Sequence, residues 1–312
     1  MQNTATNNLF KTPILFIVFN KPWTTQRVFG QIKKIQPRQL FIACDAPREN
    51  NLQDKEEVSK VKSIVSAIDW PCEIRTLFHA KNLGCALAVS TAIGWFFSQV
   101  EEGIILEDDC LPDLSFFQFC EELLEKYRDD GRVMTISGNN FQSGRNKTPH
   151  SYYFSRFPSI WGWASWRRAW KFFDLGFTAW PRIKKDKLLY NILPRNEIFY
   201  WEKKFDDMFS NKNNWDFQWA LSCWIQNSLS IAPAVNLVTN IGFGKNATHS
   251  LEFDPWLSIP ESAIAFPLQH PFFIVPHKGA DERMWKVVHR DDLIYKIKRR
   301  LRIMGASYAH RH

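Results

Sequence analysis

The stretch GIILEDDCLPDLSFF, residues 103–117, joins an apolar run to three consecutive carboxylates. The run is Gly103–Leu106, and the acids are Glu107, Asp108 and Asp109. A short apolar run bounded by polar residues predicts a buried strand. Adjacent carboxylates repel one another and lose solvation when they pack together, so a strand that ends in them is expected to hold a compensating cation. The stretch therefore predicts a strand that delivers an acidic site to the edge of a sheet.

The cation that suits this acidic site is a divalent metal ion. Carboxylate oxygens are hard ligands that fit Mn²⁺ or Mg²⁺, and these ions keep positions open for water and for phosphate oxygens. The sequence thus predicts Mn²⁺ or Mg²⁺ as cofactor and a nucleotide diphosphate as its partner. The alternative is a solvated acidic turn, after which Pro112 and Asp113 start the next helix. Because short motifs misfire often, the surrounding chain has to decide between the two.

The chain before the acids alternates short apolar runs with helical periodicity. Pro13–Phe19 reads as a strand, Asn20 begins a loop, and a helix capped by Thr24 or Thr25 continues to Ile35. The pattern continues with strands at 39–44 and 72–78 and helices at 55–68 and 86–100. Alternation of this kind predicts an α/β fold with a mostly parallel sheet and helices on both faces.

Ligands of such sheets bind beyond the carboxyl ends of the strands. We therefore expect the loops that begin at Asn20, Asp45, His79 and Glu107 to face one crevice. After Gly131 the segment VMTISG reads as a further strand, and an aromatic-rich region without simple alternation follows.

Charge and composition narrow the classes of partner. The chain has 312 residues, 45% of them hydrophobic, and a formal net charge of +8. Much of the excess lies late in the chain, where Leu293, Ile294, Ile297, Leu301 and Ile303 interleave with bases at near-helical spacing. This predicts an amphipathic helix, either against an anionic membrane face or packed on the domain. Nucleic acid is disfavoured because the bases form no stripe interleaved with aromatic residues.

The six cysteines have no zinc-ligand spacing and read as reduced core residues. No stretch reaches the roughly 20 apolar residues that cross a bilayer, and the N-terminus lacks a signal pattern. The expected location is the cytoplasm, with peripheral contact at the inner face of the membrane through the basic tail.

Six segments carry a resemblance to a known family. They are PILFIVFNKP with Arg27, FIACDAPR, HAKNLGCALAV, GIILEDDC, WGWASWRRAW and WDFQWALSCW. Together they resemble a nucleotide-diphospho-sugar transferase of the GT-A fold, a Rossmann-like α/β class. The acids resemble the EDD variant of the DXD motif of the N-acetylglucosaminyltransferase I branch. The resemblance implies that Asp109 binds the metal, and that Asp108 and Glu107 orient the ribose or sugar.

The resemblance also implies how the chain is divided. Residues 11–140 are expected to form the half that binds the nucleotide sugar. Residues 141–275 form the acceptor-binding and catalytic half of the same GT-A domain, and 276–312 form the basic tail.

Donor contacts are expected from the loops after the first two strands. Phe19 and Asn20 are placed to receive a base, and Asp45 to accept a hydrogen bond from the base or ribose. Arg27 and Arg48 suit a diphosphate, since a guanidinium is a planar fork of donors. The alternatives are a surface helix charge for Arg27 and a turn salt bridge for Arg48.

Further contacts to the diphosphate are expected from later segments. Asn82 and Gly84 precede a helix whose amides point toward anions, although a plain helix cap explains Asn82 as well. Arg156 is a candidate contact for the leaving group. His249 resembles the late histidine that contacts metal or diphosphate in some members of the fold.

The acceptor side is expected around aromatic residues. Asp216 stands between Trp215 and Phe217, and neighbouring rings that exclude water suit a general base. A capping aspartate is the alternative. Trp161, Trp163 and Trp166 can stack on a sugar ring as an acceptor platform or can fill the core.

These features predict a metal-dependent, inverting glycosyltransferase. Its donor is a nucleotide diphosphate sugar, and its acceptor is a hydroxyl of a glycan or lipid-linked glycan of bacterial-type surface polysaccharide or lipopolysaccharide. One alternative is a sugar-nucleotide nucleotidyltransferase. Such enzymes resemble a pattern with a Gly-rich basic loop after the first strand, and the loop NKPWTTQR argues against it because it lacks that pattern. The other alternative is a non-catalytic carbohydrate-binding module.

Overall fold

The computed structural model describes residues 9–142, 148–211, 213–242 and 259–288. Its first four strands run parallel, and helices connect them. These elements are β1 (Ile14–Val18), α1 (Pro22–Ile35), β2 (Gln39–Cys44), α2 (Leu52–Ser66), β3 (Glu73–Phe78), α3 (Cys85–Gln99) and β4 (Glu102–Glu107). Their order in the sheet is β3-β2-β1-β4. The strand and helix alternation predicted for this half is therefore confirmed.

The second half completes the same sheet with shorter strands. Its elements are β5 (Cys110–Pro112), α4 (Leu114–Lys126), β6 (Val133–Ser137), β7 (Tyr152–Ser155), β8 (Trp163–Trp166), α5 (Arg167–Trp170), α6 (Trp180–Lys185), a 3₁₀ helix (Leu188–Asn191), α7 (Arg195–Asn211), α8 (Asp216–Ile225), β9 (Leu229–Pro233), β10 (Val238–Asn240) and α9 (Lys278–Val288).

The full order of the eight-stranded sheet is β3-β2-β1-β4-β8-β6-β9-β7. Four of its seven strand pairs are parallel, and the antiparallel ones involve β8 and β7. Outside the sheet, β5 pairs antiparallel with β10. The predicted α/β class, with a mostly parallel sheet and helices on both of its faces, is confirmed.

The sheet separates two apolar layers. Phe16 of β1 packs in the layer that α1, α2 and α4 cover, whereas its neighbour Leu15 packs in the layer of α3 and α8. Successive strand residues point to opposite faces, so a strand covered on both faces must be apolar throughout. All five residues of β1 are accordingly buried.

A third aromatic cluster lies where the sequence showed no simple alternation. The rings of Phe157, Trp180, Trp201, Phe205 and Trp224 pack together between α6, α7 and α8. This cluster extends the second half of the chain beyond the sheet.

The first part of the predicted basic tail is integrated into this fold. Pro276 forms a bridge with Phe154 of β7, and α9 places Asp281 in the interior with 1% of its surface exposed. The Asp281 carboxylate accepts hydrogen bonds from Ser155 Oγ at 2.6 Å and from the Arg156 amide at 3.2 Å. A buried carboxylate needs such hydrogen-bond partners, and Asp281 finds them on β7 and the residue after it. Residues 276–288 therefore belong to the domain. The basic residues beyond 288 lie outside the described residues.

Two expectations drawn from composition have mixed outcomes. All six thiols are free, and four are buried, but Cys85 is exposed and Cys72 is half-exposed. Among the described residues, no helix is both long enough and apolar enough to span a bilayer.

Gly103 of β4 offers a test of the packing between the sheet and α3. A Cβ at this position would overlap the Phe96 ring and lie 2.8 Å from the carbonyl oxygen of Pro13, whereas a Cβ at Gly30 of α1 would meet nothing within 4 Å. We expect Gly103→Ala to lower the free energy of unfolding by about 1–3 kcal/mol through overpacking. Gly30→Ala is the matched control and should raise it by about 0.5–1 kcal/mol through helix propensity. Urea denaturation measures both, and equal effects would contradict this packing.

Candidate functional site

A cavity of about 280 Å³ opens at the carboxyl ends of the first four strands. Part of its wall is apolar, with Ile17, Val18, Ala43, Cys44, Ala88 and Val89. The remaining lining residues are Phe19, Lys21, Asp45, Arg48, His79, Asn82, Gly84, Cys85, Glu107, Asp108 and Asp109. Each of the four loops expected to share a crevice contributes to this lining, so that prediction is confirmed.

The acid cluster lies where β4 ends, next to the end of β1. Asp108 is buried, and its Oδ2 accepts a hydrogen bond of 2.9 Å from the backbone amide of Phe19. Asp109 Oδ2 accepts a hydrogen bond of 2.8 Å from Lys21 Nζ, which also lies 3.8 Å from Asp108 Oδ1. An ammonium of the chain itself therefore stands beside the acids.

Lys21 is the residue that the sequence reasoning missed. Burial lowers the pKa of Lys21, but the charges of Asp108 and Asp109 and the hydrogen bond to Asp109 outweigh burial and raise it above its ordinary value. Lys21 is therefore charged at any physiological pH. The signal in the sequence was a lysine directly after a buried strand, but only the pairing of β1 with β4 brings it to the acids.

The acids themselves are strained electrostatically. Burial is the largest cause that raises the pKa of Glu107, and the charges of Asp109 and Asp108 add to it. Burial also raises the pKa of Asp108, although the Lys21 ammonium opposes the shift. The ionised forms of Glu107 and Asp108 are therefore disfavoured where they stand, and a further cation at the cluster would stabilise them.

The donor set around Asp109 fits a hard divalent ion in part. In the described ranges no group of three or more His, Cys, Asp or Glu side chains is arranged to hold a metal ion. The Asp109 carboxylate nevertheless lies in the cavity wall, and a cation, the Lys21 ammonium, already stands at its Oδ2. An ion of the Mg²⁺ or Mn²⁺ type keeps several waters and takes substrate phosphate oxygens, so one carboxylate and a diphosphate suffice.

The segment after β10 supports Asp109 from the other side. The Ile241 amide donates to the Asp109 carbonyl at 2.8 Å, and Asn240 Nδ2 lies 3.4 Å from Asp109 Oδ1. A Cβ at Gly242 would lie 3.0 Å from Asp109 Cγ, so this close approach requires glycine. His249, the second expected metal contact, lies outside the described residues.

Asp45 organises two loops. Its carboxylate accepts hydrogen bonds from the amides of Ala46 at 2.9 Å, Leu83 at 3.0 Å and Gly84 at 3.0 Å, while Asn82 Nδ2 donates to the Ala46 carbonyl at 2.6 Å. Gly84 has φ +76°, which favours glycine. A protein carboxylate therefore occupies the Leu83 and Gly84 amides just before α3, whose positive end attracts a negative charge.

Asn20 and Arg48 share a carboxylate, Asp54, that the sequence reasoning also missed. Asp54 accepts hydrogen bonds from Arg48 Nε at 2.5 Å and from Asn20 Nδ2 at 2.8 Å. The turn salt bridge, left open for Arg48, is thus what the structure contains. The Arg48 guanidinium also lies 5.9 Å from the centre of the Phe19 ring, so the pair still forms one wall of the cavity.

Arg27 and Arg156 lie elsewhere. Arg27 is exposed on α1, where its guanidinium stands 5.0 Å from the centre of the Trp23 ring. Arg156 pairs with the buried Asp281 at 3.3 Å and donates to the Ile192 carbonyl at 2.7 Å. Neither lines the cavity: Arg27 stacks on Trp23 of its own helix, and Asp281 and Ile192 hold Arg156.

Asp216 lies close to the acid cluster. It is the first residue of α8 and is half-buried, and its charge contributes to the raised pKa of both Glu107 and Cys85. The structure thus brings the expected base to the same end of the sheet as the expected metal ligand.

The three tryptophans of the expected acceptor platform separate. Trp163 and Trp166 each expose 1% of their surface and belong to the core strand β8. Trp163 packs on Trp215 with ring centres 5.9 Å apart, and Trp166 Nε1 donates to the Leu124 carbonyl at 3.2 Å. Neither ring has a face open to a sugar, which corrects the platform expectation for both. Only Trp161, which is half-buried, retains exposed surface.

One further polar atom lines the cavity. His79 Nε2 is buried and has no hydrogen-bond partner among the described residues. A buried ring nitrogen without a partner costs free energy, so it marks a place where a ligand can supply a hydrogen bond.

Comparisons with known proteins give structural neighbours only. No family model matches the chain, and no curated protein does. A mannosyltransferase from Pyrobaculum calidifontis in complex with GDP-Man and Mn²⁺ has TM-score 0.36 and 13% identity, over 50% of this chain and 45% of that one. The apo UDP-glucose pyrophosphorylase has TM-score 0.39 and 9% identity, over 71% and 89%. Mouse xyloside xylosyltransferase 1 has TM-score 0.34 and 10% identity, over 68% and 81%. At such identities the likeness concerns the fold alone.

The pair of Arg48 and Asp54 predicts a pH dependence. Hydrogen bonds from Arg48, opposed by burial, hold the pKa of Asp54 at about 2. A lowered carboxyl pKa adds stability above about pH 4 that is lost as the pH falls toward 2. We expect Arg48→Met to lower the free energy of unfolding by at most about 1 kcal/mol near neutral pH, because Arg48 is exposed, and the difference should vanish near pH 2.

Urea denaturation between pH 2 and 7 measures this difference. Arg27→Met removes an exposed guanidinium from α1 and serves as the matched control, with no loss that depends on the same titration. A constant difference between Arg48→Met and the parent protein across the range would contradict the assignment.

Proposed function

We propose that the chain is a metal-dependent, inverting glycosyltransferase that uses a nucleotide diphosphate sugar. The observation that carries the proposal is the cavity at the carboxyl ends of parallel strands, which combines an apolar wall with three consecutive carboxylates. An apolar wall suits a base, and acids at its mouth suit a cation that accompanies a diphosphate.

The base and ribose are proposed to occupy the inner part of the cavity. The Phe19 ring and the side chains of Ala43 and Val89 supply apolar contact, and His79 Nε2 offers a hydrogen bond to an edge of the base. Asp45 acts by fixing the loops that follow β2 and β3. This role differs from the direct contact that the resemblance implied.

The diphosphate is proposed to lie over the acid cluster. Asp109 would hold the divalent ion, and Asp108 and Glu107 would face the ribose or sugar. A bound Mn²⁺ or Mg²⁺ neutralises the charge that develops on the departing diphosphate.

Asp216 is proposed as the general base for a single displacement. It takes the proton of the acceptor hydroxyl while that oxygen attacks the anomeric carbon and the bond to the diphosphate breaks. Attack from the face opposite the leaving group inverts the anomeric centre. The acceptor is proposed to be a glycan or lipid-linked glycan of a surface polysaccharide, with Trp161 as the available ring for stacking.

Nucleotide binding tests the assignment of Asp109. A thermal-shift screen of nucleoside diphosphates and their sugars, with and without Mn²⁺, should show a metal-dependent rise in melting temperature for one base. We expect Asp109→Asn to abolish the metal-dependent part, because a neutral amide is a poor ligand for a hard cation. Asp69→Asn is the control, because it removes a carboxylate from an exposed ion pair with Lys33. It should bind nucleotide and metal as the parent does. No shift with any nucleotide would contradict the proposal.

The role of Asp216 is tested separately from binding. We expect Asp216→Asn to reduce sugar transfer by about 10²–10⁴-fold while nucleotide affinity stays unchanged, since a general base contributes on that order. Transfer is measured by chromatography of the glycosylated acceptor, and binding by calorimetry. An Asp216→Asn enzyme of parental activity would remove this residue from the mechanism.

The nucleotidyltransferase alternative gains one observation from the structure. Lys21, in the loop after β1, is a basic group at the acid cluster, which the sequence pattern of that loop did not indicate. The two activities differ in product, because a nucleotidyltransferase releases pyrophosphate from a nucleoside triphosphate and a sugar phosphate. The loop NKPWTTQR still lacks a Gly-rich basic pattern, however, so we favour the glycosyltransferase.

A further inference from the structure

We propose that Lys21 is an exchangeable counter-ion: its ammonium neutralises Asp109 in the empty protein, and an incoming divalent cation displaces it so that it can bind the diphosphate. The second half of this inference rests on the proposed function. The competition between Lys21 and a metal ion for Asp109 does not.

The backbone of Lys21 is anchored by several hydrogen bonds, whereas the ion pairs with Asp109 and Asp108 hold its ammonium. The Lys21 carbonyl accepts hydrogen bonds from the Thr25 amide at 3.0 Å, Thr24 Oγ1 at 3.1 Å and Thr25 Oγ1 at 2.7 Å. Its side chain is 21% exposed and lines the cavity. A four-carbon stem anchored at one end can move its ammonium by several ångströms without disturbing α1.

A metal ion and the ammonium compete for the same atom. Lys21 Nζ lies 2.8 Å from Asp109 Oδ2, the distance of a direct charged hydrogen bond. The other oxygen, Oδ1, faces Asn240 Nδ2 at 3.4 Å. A divalent ion bound to Oδ2 would stand next to a positive charge at contact distance, and this repulsion expels the more mobile of the two cations.

The charge balance decides where the ammonium goes. Three carboxylates face it, those of Glu107, Asp108 and Asp109, and no other cationic side chain lines the described part of the cavity except Arg48, which Asp54 holds. A divalent ion that binds alone therefore breaks the ion pair between Lys21 and Asp109 and gains no phosphate ligand, so its binding is weak. A diphosphate that arrives with the ion gives the released ammonium a new anionic partner.

The consequence is coupled binding of metal and nucleotide. Lys21 acts as a positioning and binding residue. It lowers the affinity for the metal alone and raises the affinity for the metal together with a diphosphate, which is positive cooperativity between two ligands. It also keeps the acids compensated, and the loop after β1 in place, before the donor enters.

The test measures Mn²⁺ binding without nucleotide, by electron paramagnetic resonance of the free ion. We expect Lys21→Met to bind Mn²⁺ about tenfold more tightly or better than the parent chain, because nothing has to be displaced. At saturating Mn²⁺, the nucleoside diphosphate that the screen identifies should bind Lys21→Met about tenfold more weakly, measured by calorimetry. Lys21→Arg retains the charge and should keep the weak Mn²⁺ binding of the parent.

Lys33→Met is the matched control, since it removes an exposed ammonium of α1 that pairs with Asp69 at 2.6 Å. It should leave both affinities unchanged. Melting curves provide a second readout if Lys21→Met is less stable: Mn²⁺ should raise its melting temperature by more than that of the parent.

Two results overturn the inference: Mn²⁺ affinity of Lys21→Met equal to or below that of the parent, or tighter Mn²⁺ binding in Lys33→Met to the same degree. In the first case Lys21 is a fixed ion pair. If Mn²⁺ tightens in Lys21→Met but no nucleoside diphosphate binds either protein, the counter-ion role stands and the proposed function fails.

Discussion

The parallel pairing of β1 with β4 is the constraint on which the site depends. In this register Ile17 lies opposite Glu107, so the residues that follow the two strands meet just past the sheet edge. The Phe19 amide continues the contact by donating to Asp108, and Lys21 reaches Asp109 from the same loop. A shift of one residue would move every β1 side chain into the other packed layer and carry Lys21 away from Asp109, so the packing of both layers holds the ammonium beside the acids.

Carboxylates do two kinds of work around the cavity. Asp45 accepts hydrogen bonds from backbone amides, and Asp54 accepts them from Arg48 and Asn20. These two carboxylates therefore stabilise the loops. Glu107 and Asp109 line the cavity with oxygens that a ligand or cation can reach, and the charge of Asp216 acts on the same group. Residue type cannot separate the two kinds, because the groups that compensate a carboxylate come from distant parts of the chain.

Much of the fold could be predicted because it depends on local periodicity. The strands β1, β2 and β3 and the helices between them follow from apolar runs that are contiguous in the chain. The expected cap of the first helix is wrong, because α1 begins at Pro22, before Thr24 and Thr25, whose hydroxyls donate to the Lys21 carbonyl. The mixture of parallel and antiparallel pairing among β6, β7, β8 and β9 could not be predicted from local periodicity. The tryptophans of β8 read as a binding surface because a fully buried strand and a stacking platform have the same aromatic composition.

The sequence by itself determined the parallel α/β arrangement, the crevice at its carboxyl edge and the three acids that end β4, because spacing along one chain suffices for each. Only the tertiary structure decided the partners: Lys21 for Asp109, the amides before α3 for Asp45, Arg48 for Asp54 and Asp281 for Arg156. These pairs form because burial makes an uncompensated charge costly, and the nearest opposite charge in space is set by strand order and helix packing.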